Sequence, residues 1–524
     1  MKKSLLTGIV LFSLSTIAFA QTNISLKYSE IITQQNLKKQ LSVIASDEME
    51  GRKTGTEGQR KAAIYIEDQF RKLGLKPPEL LEGFQQYFGL MKDTLIPQSF
   101  KIGNRNLYEE KDYVLLSGSS KKESFKSKEI IFAGYGIMAP QYNDYKNKNV
   151  RGKVVVILSG EPKDNDNKYL INGTEKPSFW SYAMVKKVSI AKEKGAVAVL
   201  FVNTDWDSIP SALASNAGKK ILYFPESNQK ADLTTILIPP YELVQVLGKD
   251  NAEKILKSNE GTDLYNLNVE EKIKTKLVFV KSKTMGHPSN IIGIIEGTDK
   301  KDEYVFITAH YDHLGKIGNV IYYGANDDGS GTAAVIEMAH AFAKAKQDGI
   351  SPRRTIVFML FSGEEEGLLG SQFYSQYPVF PLQKTSVDLN TDMIGRLDPN
   401  RKYAEKNCLY LVGNDKISSE LSPIVEDIND KYCHLRLDYK YNNFNDPEKL
   451  FYRSDHYSFA KNDVPVIFFT SGLYLEYHKP SDTVDKINFD IMQKRVQFIF
   501  LTAWKIANMD EMLKRDLPLP KEGI

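Results

Sequence analysis

The chain has 524 residues, of which 42% are hydrophobic and 26% are charged, a balance typical of globular proteins with roughly two to four domains at this length. Its net charge of +3 is too small for the basic surface that nucleic-acid or membrane binding requires, so neither partner is expected. The two cysteines, Cys408 and Cys433, exclude a disulfide framework and a cysteine-rich zinc site, and whether they pair stays open.

The first twenty residues differ from the rest of the chain. Lysines follow Met1, residues 5–20 are mostly apolar, and Ala-Phe-Ala ends the stretch at Ala20. This pattern predicts a secretory signal peptide cleaved before Gln21, and hence export to a periplasm or the medium. A membrane anchor is the alternative, but the stretch is short for a span and no later run reaches about 18 apolar residues.

After the signal, residues 29–75 are expected to be helical, as two amphipathic runs around a Gly-rich and acidic segment at 46–58. The middle of the chain shows short apolar runs that predict strands, with one helix between them, and indicates a separate inserted domain over 112–276. From residue 290, strand and helix patterns alternate. The expected strands are 291–295, 305–309, 355–361, 387–391, 409–412 and 465–469, with helices after Gly331, Leu369, Ser418 and Phe489. Such alternation predicts an α/β fold around a mostly parallel sheet.

Polar clusters follow the predicted strands, where parallel sheets collect functional residues. They are His-Tyr-Asp-His at 310–313, Gly-Ala-Asn-Asp-Asp-Gly-Ser-Gly at 324–331, Ser-Gly-Glu-Glu-Glu-Gly at 362–367, Asp-Met-Ile-Gly at 392–395 and Tyr-His-Lys-Pro-Ser-Asp-Thr at 477–483. Taken singly, each has an ordinary structural explanation, such as a core histidine, a helix cap or a solvated acidic turn. Together, histidine nitrogens and carboxylate oxygens at one sheet edge indicate a zinc site. The absence of His-Glu-x-x-His argues against a single zinc held by one helix.

These motifs, together with Ser-Asp-His at 454–456 and Asp-Glu-Met-Glu-Gly-Arg at 47–52, resemble the two-zinc aminopeptidases. That family also includes glutamate carboxypeptidases, glutaminyl cyclases and the transferrin receptor. The resemblance is strong over 290–510, and the middle segment resembles a protease-associated domain. It implies a three-layer α/β sandwich of the zinc exopeptidase type with an inserted β-rich domain. The implied boundaries are a signal at 1–20, a first catalytic part at 21–111, the insert at 112–276, the main catalytic part at 277–512 and a tail at 513–524.

The resemblance also implies a role for each motif residue. His310 and Asp392 would hold one Zn²⁺, Glu365 and His478 the second, and Asp327 would bridge both. Asp312 would orient His310, and Glu364 would be the general base that activates a metal-bridging hydroxide. The peptide bond after the bridging aspartate would be cis.

Two histidines within the motifs, His313 and His456, match no ligand position and are expected to line the pocket. The implied activity is that of an exported aminopeptidase acting on peptides with a free N-terminus. A carboxypeptidase or dipeptidase is the alternative, for which Arg396 and Arg453 could bind a substrate carboxylate, although structural ion pairs explain them equally well. A non-catalytic receptor-like relative would have lost ligands, whereas this chain keeps all five. The sequence gives no indication of side-chain specificity or oligomeric state.

Overall fold

The structure is a computed structural model that describes residues 24–109, 111–117, 124–164, 166–204, 206, 221–225, 233–257, 264, 267–399 and 408–519. The predicted signal peptide lies outside the described residues. The chain forms two compact units, one ending at Gly89 and resuming at His287, and the other comprising Leu90–Gly286. Within the described ranges, no helix is both long and apolar enough to cross a membrane.

The first unit is built on a mixed sheet that has eight strands among the described residues. The strands are β1 (Gln85–Tyr87), β2 (Ser289–Ile295), β3 (Lys300–His310), β4 (Arg354–Phe361), β5 (Thr385–Thr391), β6 (Cys408–Val412), β7 (Arg436–Asp438) and β8 (Val466–Thr470), with a separate hairpin at Gly315–Ile317 and Val320–Tyr322. Their order in the sheet is β1-β2-β4-β3-β5-β8-β6-β7. The four central strands, β4, β3, β5 and β8, are parallel, whereas β2 joins β4, and β6 joins β8, in antiparallel fashion.

Helices of this unit follow the strands in the alternation that the sequence predicts. They are α1 (Gln34–Ile44), α2 (Glu57–Lys72), α3 (Gly329–Gln347), α4 (Leu369–Gln376), α5 (Leu421–Ile428), α6 (His456–Ala460) and α7 (Phe489–Ala507), with shorter helical turns at Asp47–Arg52, Leu382–Lys384, Asn429–Cys433, Lys440–Asn442, Leu450–Tyr452 and Val484–Lys486. The strands predicted after residue 290 all form, within a few residues of the expected bounds. No disulfide joins Cys408 to Cys433 in the described part of the chain.

The sheet buries hydrophobic side chains on both faces, because successive residues of a strand point to opposite sides. Val305 and Ile307 of β3 belong to a cluster that includes α3 and α7, where the rings of Phe342 and Phe500 lie 4.7 Å apart. Phe306, between them, belongs to the other cluster, which includes α4 and α6. A strand buried on both sides reads as a continuous apolar run, which is why β3, β4 and β8 were visible in the sequence.

The second unit contains two sheets. One has the strands Val114–Ser117, Ile130–Phe132, Val154–Leu158, Ala198–Val202, Thr234–Ile238 and Glu270–Glu271, and the other has Leu90–Ile102, Arg105–Leu107, Ser124–Ser127, Ile221–Tyr223 and Thr275–Gly286, with a small pair at Met138–Ala139 and Tyr142–Asn143. The helices are Met184–Glu193, Leu243–Leu247 and Lys249–Lys257, with turns at Phe179–Ser181 and Pro240–Glu242.

This unit is wider than the segment 112–276 expected from the sequence. Leu90–Ile102 and Thr275–Gly286 pair along their whole length as antiparallel strands, so the chain enters and leaves the unit through one long ladder. Both strands mix polar and apolar residues, and neither was predicted.

Candidate metal centre

The proposed ligands come from the carboxyl ends of the four central parallel strands. His310 is the last residue of β3, Glu365 lies in the turn after β4, and Asp392 directly follows β5. His478 lies in the loop after β8, and Asp327 lies just before α3. Because parallel strands end at one edge of the sheet, residues up to 168 positions apart in the chain meet there.

The carboxylate of Asp327 lies between two groups of side chains. Its Oδ1 is 3.3 Å from His310 Nε2, and its Oδ2 is 3.2 Å from His478 Nε2. Asp392 Oδ1 is 3.6 Å from the same nitrogen of His310, and Glu365 Oε2 is 3.0 Å from that of His478. The five proposed ligands therefore form two groups that share Asp327.

Two further side chains reach into these groups. Glu364 Oε2 lies 3.8 Å from His310 Nε2, so His310, Glu364 and Asp392 could together surround one ion. His313 Nδ1 lies 2.7 Å from a carboxylate oxygen of Glu365, and His313, Asp327 and Glu365 could surround another. The expectation that His313 only lines a pocket does not describe this contact.

His456 differs from the other histidines in the motifs. It is fully buried, and its ring lies 5.0 Å from that of Phe468 and 5.6 Å from that of Phe451. Burial lowers the pKa of His456 to about 3, so the imidazole is neutral. It is a packed core residue rather than part of either group.

The atoms that face one another in the two groups are buried and lack hydrogen-bond partners among the described residues. They are His310 Nε2, His313 Nδ1, Asp327 Oδ2, Glu365 Oε1, Asp392 Oδ1 and His478 Nε2. Buried polar atoms without partners are rare in folded proteins because each costs about 1–3 kcal/mol. A divalent cation coordinated by nitrogen and carboxylate oxygen would satisfy them together, so the donor set fits zinc.

The pKa shifts of the two histidines His310 and His478 also fit a metal site. Burial alone would lower the pKa of His478, but the adjacent carboxylates of Asp327 and Glu365 raise it to about 10. Glu364 and Asp392 likewise raise the pKa of His310 well above its usual value, against the effect of burial. Without a metal ion, the carboxylates thus retain protons on both imidazoles. A bound cation would replace those protons, since metal ligation requires neutral histidine.

Asp312 connects the first group to the N-terminal segment. Its Oδ2 accepts a hydrogen bond from Thr54 Oγ1 at 2.7 Å, and its Oδ1 accepts one from the backbone N–H of Glu364 at 3.2 Å. His310 Nδ1 lies 3.1 Å from the Asp312 carbonyl oxygen and 3.6 Å from its carboxylate. Asp312 therefore contacts His310 through its backbone at hydrogen-bond distance, with the carboxylate slightly farther away.

Other buried polar groups hold Asp392 and Asp327. Ser454 Oγ donates to Asp392 Oδ2 at 2.7 Å. Asp482 Oδ2 accepts from the backbone N–H groups of Asn326 and Asp327 at 3.0 and 3.2 Å. Such outer contacts orient the ligands of metal sites.

The backbone around Asp327 is also distinctive. The peptide between Asp327 and Asp328 is cis, as the resemblance implies. Asp328 caps α3 by accepting from Gly331 N at 2.9 Å, and the same Oδ1 accepts from Met393 N at 3.1 Å. One carboxylate therefore links the start of α3 to the residue after Asp392.

Arg52, the last residue of the Asp-Glu-Met-Glu-Gly-Arg motif, is a support whose role the sequence pattern does not indicate. The residue is fully buried, and its guanidinium donates to the carbonyl oxygens of Ile44, Tyr311, Tyr323 and Gly324 at 2.7–3.0 Å. Burial lowers the pKa of Arg52 to about 10, while nearby aspartates oppose that shift, so the side chain stays cationic at neutral pH. Tyr311 and Gly324 flank two of the loops that carry the proposed ligands.

The signals that could have identified these supports are weak. A fully buried arginine leaves no periodic pattern in the sequence. Ser454 lies in a Ser-Asp-His motif in which only the histidine was expected to line the pocket. Thr54 lies 258 positions from Asp312, a distance that no local pattern bridges.

Comparisons with known proteins agree with this geometry. Residues 290–503 match the sequence profile of peptidase family M28. The chain is 25% identical over 356 residues to aminopeptidase YwaD of Bacillus subtilis (strain 168), a match that covers 65% of this chain and 58% of that protein. It is 23% identical over 474 residues to a glutamate carboxypeptidase 2 homolog of Caenorhabditis elegans, covering 75% of this chain and 53% of the relative. The chain thus spans less than two thirds of the length of either relative.

Among solved structures, an aminopeptidase from Aneurinibacillus sp. strain AM-1 superposes with a TM-score of 0.59 at 19% identity, covering 95% of this chain and 100% of that one. At this identity the likeness shows the fold. The family profile covers all four central strands and the five residues that face one another at their ends. Residues 290–503, which carry the candidate metal centre, are thus similar to peptidase family M28.

Proposed function

We propose that this protein is a zinc-dependent aminopeptidase that binds two Zn²⁺ ions and uses Glu364 as general base. The observation that carries the proposal is the shared carboxylate of Asp327, which faces His310 through one oxygen and His478 through the other. His310 and Asp392 would hold one ion, Glu365 and His478 the other, and Asp327 would bind both. When bound, the ions would polarise the scissile carbonyl and lower the pKa of the attacking water.

Glu364 is suited to accept and return a proton. Its side chain is only 11% exposed, and burial, reinforced by the nearby carboxylates, raises the pKa of Glu364 well above its usual value. A carboxyl group with a raised pKa can take a proton from the attacking water and give it to the leaving amine near neutral pH. Its backbone N–H is fixed to Asp312, which keeps the turn that bears Glu364 beside His310.

The surroundings of the two candidate arginines support an aminopeptidase. The guanidinium of Arg396 pairs with Glu476, is 3.9 Å from Asp482, and lies over the ring of Tyr474. Arg453 donates to the hydroxyl of Tyr477 and is the more exposed of the two. Arg396 is therefore already neutralised by carboxylates and poorly suited to bind a substrate carboxylate, which favours the aminopeptidase over the carboxypeptidase.

The rest of the proposed organisation follows the sequence and the resemblance. We infer a three-layer zinc exopeptidase fold for the first unit, supported by hydrophobic clusters on both faces of its sheet. The second unit is proposed to be a protease-associated domain, and the chain to be exported after cleavage behind Ala20. Amino-terminal sequencing of the exported protein tests the proposed cleavage, and the first residue is expected to be Gln21.

One short peptide in three forms, free, N-acetylated and C-amidated, tests the activity. Each form is incubated with protein stripped by a chelator and with the same protein after zinc addition. We expect cleavage of the free and amidated peptides only, and only with zinc, because the α-amine is the group to be held. Cleavage of the acetylated but not the amidated peptide would assign a carboxypeptidase and give Arg453 a substrate role. Full activity without metal would contradict the zinc proposal.

A further inference from the structure

His313 lies in the metal centre but has no role in the proposed reaction. It is 1% exposed, and its Nδ1 is 2.7 Å from Glu365 Oε1 and 3.9 Å from Asp327 Oδ2. We propose that His313 is a further ligand, through Nδ1, of the ion held by Asp327, Glu365 and His478. This inference rests on the proposed function, since it presupposes that the centre binds zinc.

The contact between His313 and Glu365 does not have hydrogen-bond geometry. Despite the short distance, neither ring nitrogen of His313 has a hydrogen-bond partner among the described residues, and Glu365 Oε1 has none either. The atoms proposed to bind metal elsewhere in the centre, such as His478 Nε2 and Asp392 Oδ1, share this property. Two buried electron-pair donors that approach each other outside hydrogen-bond geometry are an arrangement that a common cation would satisfy.

The donor atoms of His313, Asp327 and Glu365 lie close enough together to surround one ion. Ligands about 2.1 Å from a tetrahedral zinc lie roughly 3.4 Å from one another. His478 Nε2 is 3.2 Å from Asp327 Oδ2 and 3.0 Å from Glu365 Oε2, and the His313 contacts of 2.7 and 3.9 Å fall on either side of that value.

The two imidazoles approach Glu365 from different sides. His313 contacts Oε1 and His478 contacts Oε2, and the ring planes are 72° apart with centroids separated by 5.8 Å. The rings therefore neither stack nor compete for one position, and each can supply one corner of a coordination sphere.

The backbone confines the His313 ring to this position. Gly324 has a φ of +54°, and a Cβ there would lie 2.4 Å from His313 Cγ and 2.2 Å from the carbonyl oxygen of Asp327. A glycine thus allows the ring to pack directly on the chain that carries the bridging aspartate. This contact fixes His313 relative to Asp327 rather than leaving it to move between rotamers.

The proposal makes the two metal positions unequal. The ion near His478 would have two imidazoles and two carboxylates, whereas the ion near His310 would have one imidazole and the carboxylates of Asp327 and Asp392. Imidazole is a stronger zinc donor than a carboxylate, so the His478 position would fill first and release its ion last. The remaining open coordination position would then lie on the His310 side, next to Glu364.

X-ray absorption of the wild-type protein loaded with zinc tests the ligand count directly. We expect three imidazoles over two ions. Two imidazoles over two ions would overturn this inference and leave the proposed function intact. No zinc uptake by the wild-type protein would overturn both.

His313→Asn provides the second measurement, in competition titrations with a chromophoric chelator. We expect the tighter of two zinc dissociation constants to weaken by at least about tenfold, since even outer contacts of metal ligands are worth 10–100-fold in affinity. The matched control is His456→Asn, which also removes a buried imidazole but lies outside both groups, and should leave both constants unchanged. Unchanged constants in folded His313→Asn protein would contradict the proposal. If that variant does not fold, the absorption spectrum of the wild type decides.

Discussion

Replacing Arg52 by methionine tests whether the N-terminal segment holds together the loops that carry the proposed metal ligands. The wild-type guanidinium donates four hydrogen bonds to backbone carbonyls, at 2.7, 2.8, 2.8 and 3.0 Å. Two of the acceptors, Tyr311 and Gly324, belong to the loops that carry His310 and Asp327. Methionine keeps much of the volume and removes every donor and the charge.

The loss of stability expected for Arg52→Met depends on two opposing contributions, the hydrogen bonds of the guanidinium and the burial of its charge. Hydrogen bonds to a charged group are worth about 1.5–3 kcal/mol each, and burial of the cation offsets part of their sum. The side chain also compensates Asp312, Asp327 and Asp328, whose negative charges oppose the lowering of the pKa of Arg52. Removing one partner from a buried charged network costs roughly 3–5 kcal/mol, and we expect Arg52→Met to lower the free energy of unfolding of the first unit by that amount.

The assay compares Arg52→Met with Arg354→Met, a control variant that should also be destabilised. Arg354 is also fully buried, and it donates to Glu303 at 2.8 Å and to the carbonyls of Ile506 and Met509 at 3.0 and 2.6 Å. It begins β4, whereas the metal centre lies beyond the other end of that strand, roughly 25 Å away at about 3.3 Å per residue.

Stability is measured by denaturant unfolding, and zinc affinity by competition with a chelator. We expect both Arg52→Met and Arg354→Met to lose stability, but only Arg52→Met to lose about 10–100-fold in zinc affinity. Equal zinc affinity in the two variants would refute the view that Arg52 positions the ligand loops.

Three further changes test other parts of the centre. Glu364→Gln should reduce the turnover number by about 10²–10⁴ without loss of zinc, measured by steady-state kinetics and elemental analysis, whereas Glu365→Gln should lose metal; the opposite pattern would exchange their roles. Ser454→Ala removes the donor to Asp392 and should weaken zinc binding by about tenfold or more in chelator competition. Burial raises the pKa of Asp388 well above its usual value, so the carboxyl destabilises the fold increasingly as pH rises above about 4, where it ionises in the unfolded chain. The stability gain of Asp388→Asn over wild type should therefore grow with pH from 4 upward and vanish below it, in urea unfolding across pH.

The sequence predicted the central strands from short-range apolar patterns, whereas the five proposed ligands were implied by the resemblance of the motifs at the strand ends to the two-zinc aminopeptidases. Strands buried on both faces are continuous apolar runs, and the carboxyl ends of parallel strands are adjacent whatever the length of the connections. His310 and Asp392 could be placed together by this rule alone, although 81 residues separate them and β3 and β5 pair only in the folded sheet.

The supporting residues could not be predicted in the same way. Whether His313, three residues after His310, turns toward Glu365 or away depends on the loop that follows β3 and on the space left by Gly324.

The boundary of the inserted unit differs from the expected one because it depends on a pairing between distant parts of the chain. Leu90–Ile102 pairs with a strand that lies more than 170 residues later in the chain. Neither strand has the regular alternation of polar and apolar residues that would predict it from the sequence.

The candidate metal centre contains buried negative charge that the cationic side chains of the protein balance only in part. Asp312, Asp327, Asp328 and Asp392 are buried beside one another, and burial raises the pKa of Asp328 well above its usual value. Arg52 is the buried cation that faces this group from the N-terminal segment, and it is also bound to the carbonyls of the loops that carry two of these aspartates. The remaining negative charge must be met by protons on the histidines or by metal ions. Because hydrogen bonds already hold Asp327 and Asp392 in place, we expect metal binding to exchange protons for cations, and the buried Arg52 to contribute by fixing the backbone of the loops at the strand ends.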